Sequence, residues 1–161
     1  METGKTVYNF SAGPCVLPKE VLKQAQEGAV DWHGCGVSVM EMSHRSKEFI
    51  EISEQAEKDF RDLMSVPKNY KIFFFQGGAS TQFSAIPYNL LRGNDKANYL
   101  TSGAWSQGAI AEAKKLCTAN EVWPDSGNKF TTLPDVANWN IDKDAAYFHY
   151  CDNETIHGVE F

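Results

Sequence analysis

The chain has 161 residues, 42% of them hydrophobic, enough for one globular domain with a real core. Its 15 Lys and Arg against 21 Asp and Glu leave a net charge of -6, which argues against nucleic-acid binding through a broad basic surface. No apolar run is long enough for a membrane span, since even Ile72 to Phe75 is flanked by Lys71 and Gln76, and Met1 to Tyr8 has no apolar signal core.

Tyr8 to Pro14 reads as an extended lead-in with a turn at Gly13-Pro14. Pro18 suits the first turn of a helix whose apolar face is Val21, Leu22, Ala25 and Ala29, and Gly28 weakens its end. Gly34 and Gly36 then break the chain. Ser46 is an N-cap with Glu48 in the favourable first turn. Phe49, Ile52, Ala56, Phe60 and Leu63 recur at helical spacing, and Pro67 marks the end of that helix.

Tyr70 to Phe75 is apolar on both faces and predicts a strand buried on both sides. After Gly77-Gly78 a helix is expected from about Ser80 to Leu91, with Pro87 casting doubt on its middle. A second strand is predicted over Ala97 to Thr101, then Ser102-Gly103 and a helix through Ala109 to Leu116. A third strand falls around Val122. Pro124 to Asp144 reads as a long connection with a turn at Ser126-Gly127, and Ala145 to Cys151 as a fourth strand. Strands alternating with helices predict an α/β domain, a mostly parallel sheet covered by helices. The end at Val159-Glu160-Phe161, with no turn or polar tail, reads as a cut. The four cysteines, Cys15, Cys35, Cys117 and Cys151, form no CxxC pair. They read as reduced thiols of a cytosolic protein, and no metal site is expected.

Three segments at strand ends carry candidate chemistry. Gln76-Gly77-Gly78-Ala79-Ser80-Thr81 joins a strand to a helix. Its glycines permit close backbone approach, and the helix start offers N–H groups to a phosphate. Taken alone, the motif is better read as a plain turn with a Ser or Thr cap. Trp105 stands at the next strand end, where its ring can stack on a flat ligand; a core tryptophan is the commoner role. Asn153 to Gly158 follows the fourth strand, and Thr155 can hydrogen-bond a ring hydroxyl, while His157 reads as structural. Joint occurrence of a phosphate cup, an aromatic plate and a hydroxyl is more specific than any one of them. His44-Arg45 can bind an acidic group; an arginine paired with Glu41 or Glu48 is an equal alternative.

Five segments in order resemble phosphoserine aminotransferases. They are Tyr8 to Pro14, Ser38 to Arg45, Phe75 to Phe83, Thr101 to Trp105, and Asn153 to Phe161. The resemblance implies the N-terminal part of the large domain of fold type I enzymes that depend on pyridoxal 5'-phosphate. Residues 1–17 would be an arm leading into the fold and 18–161 a partial cofactor-binding domain, with the C-terminal half of the family fold absent. The implied reaction moves an amino group between L-glutamate and 3-phosphohydroxypyruvate, giving 2-oxoglutarate and O-phospho-L-serine, in a cytoplasmic homodimer. By resemblance, Gly78, Ala79 and Ser80 contact the cofactor phosphate. Trp105 stacks on the ring, Thr155 contacts its hydroxyl, and His44 and Arg45 bind the acidic end of the substrate. The family's Schiff-base lysine lies later than Phe161, and Lys71, Lys114 and Lys143 do not match its motif. An inactive, poorly stable chain with an open sheet edge is therefore expected. Alternatives are a truncated product with an interaction role or none, and a relative such as a cysteine desulfurase or serine–glyoxylate aminotransferase. His44-Arg45 and Asn153 to Phe161 favour the phosphoserine branch.

Overall fold

The computed structural model describes residues 7–124, 129–133 and 135–161. They group into two compact units, Met1–Phe74 and Phe75–Phe161.

The first unit is helical. Helix α1 spans Lys19–Val30, with Pro18 as its N-cap. Gly28 does not end it. The helix runs two residues further, and a Cβ at 28 would sit 2.9 Å from Cε3 of Trp32. Gly28 is therefore where the Trp32 ring packs. A 3-10 turn, Val39–Glu41, is closed at its start by a reciprocal pair of side-chain bonds with its N-cap Ser38. The Met40 amide donates to Ser38 Oγ at 3.1 Å and the Ser38 amide to Glu41 Oε2 at 3.1 Å. Helix α2, Lys47–Leu63, starts as its sequence dictates, with the Phe49 amide donating to Ser46 Oγ at 3.3 Å. Past its end, Arg61 Nη1 donates to the carbonyls of Pro67 and Tyr70. The apolar stripe of α2 fades toward solvent, and Leu63 is 84% exposed.

The second unit holds the sheet. Helix α3, Gly78–Leu90, precedes strand β1, Lys96–Tyr99; helix α4, Ala104–Ala113, precedes β2, Thr118–Glu121. Strand β3, Phe148–His149, completes a parallel sheet in the order β2-β1-β3. The first unexpected element is a 3-10 turn, Val136–Asn138, capped by Asp135 within the long connection. The second is an antiparallel hairpin of β4, Asn153–Glu154, and β5, Val159–Glu160. Strand β1 is central and buried, because both of its edges are paired. The Asn98 and Leu100 amides donate to Tyr147 and His149, and the Val122 amide donates to Tyr99, each at 2.9 Å. Ala97, Tyr99, Ala109, Ile110 and Ala113 make the core. Ala109 and Ala113, one turn apart, let α4 approach the sheet closely.

The apolar run at Tyr70 to Phe75 is a correction to the sequence reading. No strand forms there, and Phe73, Phe74 and Phe75 are largely exposed. The segment belongs to neither sheet, and its exposed rings lack the covering layers that an apolar pattern on both faces implies. The third strand, expected around Val122, is β2, which ends one residue before it, and regular β3 covers only two residues of the seven anticipated. Helix α3 runs through Pro87, which is buried. The anticipated turn at Ser126-Gly127 lies outside the described residues. No helix among them is long and apolar enough to cross a membrane.

His149 gives the core a pH dependence. Its ring stacks on Tyr99, with centroids 4.9 Å apart, and meets the edge of Phe83. Nδ1 is buried without a hydrogen-bond partner. Burial holds its pKa below the ordinary 6.5. The unfolded chain therefore binds the proton more readily. Stability is complete above about pH 6.5 and falls as pH drops from there toward the lowered native value. Urea unfolding between pH 8 and pH 5 should show this decline, and His149→Phe should flatten it.

Candidate functional site

The site begins with two helix starts at one edge of the sheet. Helices α3 and α4 lead through short connectors, 91–95 and 114–117, to the paired strand starts Lys96 and Thr118. They lie alongside each other: Ser84 Oγ donates to Glu112 Oε2 at 3.1 Å, and Phe83 lies against Gly108. Their C-terminal ends thus share the amino edge of the sheet, and their first turns lie at its carboxyl edge. That edge is where open α/β sheets bind ligands.

The two helix starts differ in what occupies them. At α3 the N-cap is Gly77, with φ +95° and no side-chain cap. A Cβ there would collide with Thr81 Oγ1, so position 77 accepts only glycine on both steric and dihedral grounds. Gly78, Ala79 and Ser80 are exposed, and their amides begin the helix with no partner among the described residues. The macrodipole adds partial positive charge at the same place.

At α4 the start is filled from within the chain. Glu154 is fully buried. Its Oε2 accepts from the Trp105 amide at 2.9 Å; its Oε1 accepts from the Ser106 amide at 2.9 Å and from Ser106 Oγ at 2.5 Å. The Ala104 amide donates to His157 Nδ1 at 3.3 Å. Ser106 Oγ also accepts from the Ser102 and Gly103 amides, at 2.8 and 3.0 Å. The hairpin therefore plugs the helix start, with His157 accepting one of its amides. Burial first, and the Glu154 carboxylate second, push the Cys151 thiol up to about 11. That thiol is protonated at neutral pH and a poor nucleophile.

The plug brings two anticipated side chains together. Trp105 Nε1 donates to Thr155 Oγ1 at 2.8 Å, across fifty positions of sequence. Trp105 is 44% exposed, so one part of the indole is anchored while ring surface stays open. The bond uses a lone pair of Thr155 and leaves its own proton available to a ligand oxygen. An open amide cluster, an anchored aromatic plate and a free hydroxyl at one sheet edge fit a flat, phosphorylated ring compound. Phosphate suits the α3 amides, and the ring and its oxygen suit Trp105 and Thr155.

His44 and Arg45 lie in the first unit, in the turn before α2, and both are exposed. Arg45 makes no ion pair among the described residues. Glu41 instead caps its own 3-10 turn. The alternative of an arginine tied to Glu41 or Glu48 is not realised. Sequence reasoning missed Glu154, Ser106 and Gly103, where an added Cβ would lie 2.5 Å from the Glu154 carboxylate. The available signal was that α4 has no acidic residue in its first turn, so its amides needed an acceptor from elsewhere.

Residues 7–161 match the aminotransferase class-V family model. The chain is 52% identical over 157 residues to a phosphoserine aminotransferase of Nitrosomonas europaea, covering 98% of this chain and 43% of the relative. It superposes on a phosphoserine aminotransferase from Trichomonas vaginalis, solved with PLP bound, with a TM-score of 0.91 and 42% identity. That match covers 97% of this chain and 44% of the other. For the phosphoserine aminotransferase of Bacillus circulans subsp. alkalophilus the TM-score is 0.88 at 40% identity, over 97% and 43% of the two chains. The chain thus spans less than half the length of these relatives and has the fold of the N-terminal part of the fold type I large domain. With residues 7–161 matched by the family model, this chain belongs to the class-V aminotransferase family.

Proposed function

We propose that these residues form the phosphate- and ring-binding half of a phosphoserine aminotransferase that uses pyridoxal 5'-phosphate. The observation that carries this reading is the 2.8 Å bond from Trp105 Nε1 to Thr155 Oγ1, at the same sheet edge as the open amides of α3. Gly78, Ala79 and Ser80 would hold the phosphate through backbone N–H groups, with the Ser80 hydroxyl as a further donor. Trp105 would cover a ring face and exclude water from it. Thr155 would donate its proton to the ring oxygen. When bound, the cofactor supplies an electron sink for the amino-group carbon of the substrate. The substrates would be L-glutamate and 3-phosphohydroxypyruvate, with His44 and Arg45 binding an acidic end. Arginine is suited to that role by its bidentate geometry. The setting would be a cytoplasmic homodimer, with 1–17 as an arm and 18–161 as part of the large domain.

We further propose that the 161 residues alone do not turn over. A lysine must hold the cofactor and move the substrate proton, and no lysine of this chain stands in the family's lysine motif. Titration with pyridoxal 5'-phosphate should quench tryptophan fluorescence saturably, and Trp105→Phe should remove most of the quench. The same chain given L-glutamate and 3-phosphohydroxypyruvate should make no O-phospho-L-serine. Cofactor binding that ignores both Trp105→Phe and Ser80→Ala would refute the site, and product formation would refute the inactivity.

A further inference from the structure

We infer that Glu154 is the positioning residue of this site: it fixes Trp105 to Thr155 and reserves the α3 start for the phosphate. This rests on the reading of the site given above.

The argument starts from charge. Glu154 is fully buried, and among the described residues no lysine or arginine pairs with it. Its compensation is the first turn of α4: two amides, the Ser106 hydroxyl and the positive end of the helix dipole. A buried carboxylate held in this way tolerates little displacement, because losing a partner leaves charge without solvent. Its contacts are placed to transmit that rigidity. One oxygen accepts from the amide of Trp105 itself, and Thr155 is the next residue in the chain. Ring plate and hydroxyl are thereby tied to a single carboxylate. The Glu154 carbonyl also accepts from the His157 and Gly158 amides, at 3.1 and 2.7 Å, which closes the hairpin loop carrying Thr155.

The same carboxylate assigns the two helix starts different tasks. Both are amino ends of α-helices at the carboxyl edge of one sheet, and either could attract an anion. Glu154 already fills the α4 end with a fixed negative charge. The α3 end, behind Gly77 and without a side-chain cap, stays open. A phosphorylated ring can then bind in one orientation only, with its phosphate at Gly78 to Ser80 and its ring at Trp105.

The test uses the 161-residue chain with Glu154→Gln, which keeps the shape and removes the charge, and Glu154→Asp, which keeps the charge. The probes are inorganic phosphate and pyridoxal, which has the ring without the phosphate. Amide resonances of Gly78, Ala79 and Ser80 report the phosphate end, and the Trp105 indole N–H reports the ring end. In Glu154→Gln, solvent exchange of the indole N–H should quicken and pyridoxal affinity should fall about tenfold. Phosphate-induced shifts at Gly78 to Ser80 should match the unaltered chain. Glu154→Asp should recover part of the pyridoxal affinity. Equal losses for both probes would overturn the proposal, because they indicate general disruption; so would a Gln variant that behaves as the parent. If Glu154→Gln does not fold, the Asp variant decides by the same contrast between probes. If the unaltered chain binds neither probe, the cofactor reading falls, and indole exchange in the variants still decides whether Glu154 holds Trp105.

Discussion

Gly103→Ala is expected to destabilise the chain by roughly 3 kcal/mol, as measured by urea unfolding. The cause is space rather than backbone conformation. Gly103 has φ 172°, extended backbone that alanine adopts freely. An alanine Cβ would stand 2.5 Å from Cδ and Oε2 of Glu154 and 2.8 Å from its Cγ. These atoms cannot swing away as a surface side chain would, because the carboxylate is buried and bonded to Trp105 and Ser106. Either the helix start shifts or Glu154 loses acceptor bonds while still buried. Gly108→Ala, in the same helix, supplies the contrast. Its Cβ would meet only Phe83 Cε2 at 3.7 Å, an ordinary contact. Removing a mid-helix glycine there should stabilise by about 0.5–1 kcal/mol. Opposite signs from one substitution type, five residues apart, would show that crowding at Glu154 sets the first result.

Asn98→Ala should cost about 3 kcal/mol by the same measurement. Asn98 lies in central strand β1 and is 4% exposed. Its side chain satisfies three groups on two segments. Oδ1 accepts from Asn120 Nδ2 at 2.7 Å and from the Asp142 amide at 3.0 Å; Nδ2 donates to the Asp142 carbonyl at 2.8 Å. The two bonds to Asp142 imitate a strand pairing and fasten the end of the long connection to the sheet. Alanine would free one acceptor and two donors, part-buried and without replacement. Asn120→Ala should cost less. Asn120 is only partly buried, and its loss leaves both Asp142 bonds in place. Equal effects of the two substitutions would argue against the Asp142 clamp as the dominant contribution.

What the sequence disclosed and what it hid divide along physical lines. Helices set by local rules were legible: the Ser46 cap and the stripe from Phe49 to Leu63 specify α2 without distant help. Trp105 and Thr155 could be singled out because each follows closely on a strand expected from the sequence, and in the structure their side chains are hydrogen-bonded. Tyr70 to Phe75 was misread because local composition shows apolar residues on both faces but not what covers them, and here the three phenylalanine rings are largely exposed. The hairpin at 153–160 was hidden because its strands are two residues each, too short for alternation to register. Glu154 was hidden for a related reason. A carboxylate flanked by Asn153 and Thr155 looks solvated until the fold places a helix start over it.

The spacing of these contacts has a consequence for how the binding region comes into being during synthesis. Ser84 and Glu112, which set α3 beside α4, are 28 positions apart, whereas Trp105 meets Thr155 across 50 and Ser106 meets Glu154 across 48. Closing the longer loops costs more chain entropy. The hairpin also needs Val159 and Glu160, which leave the ribosome last among these partners. A nascent chain can therefore set the α3 start beside α4 while the Trp105–Thr155 pair is still unmade.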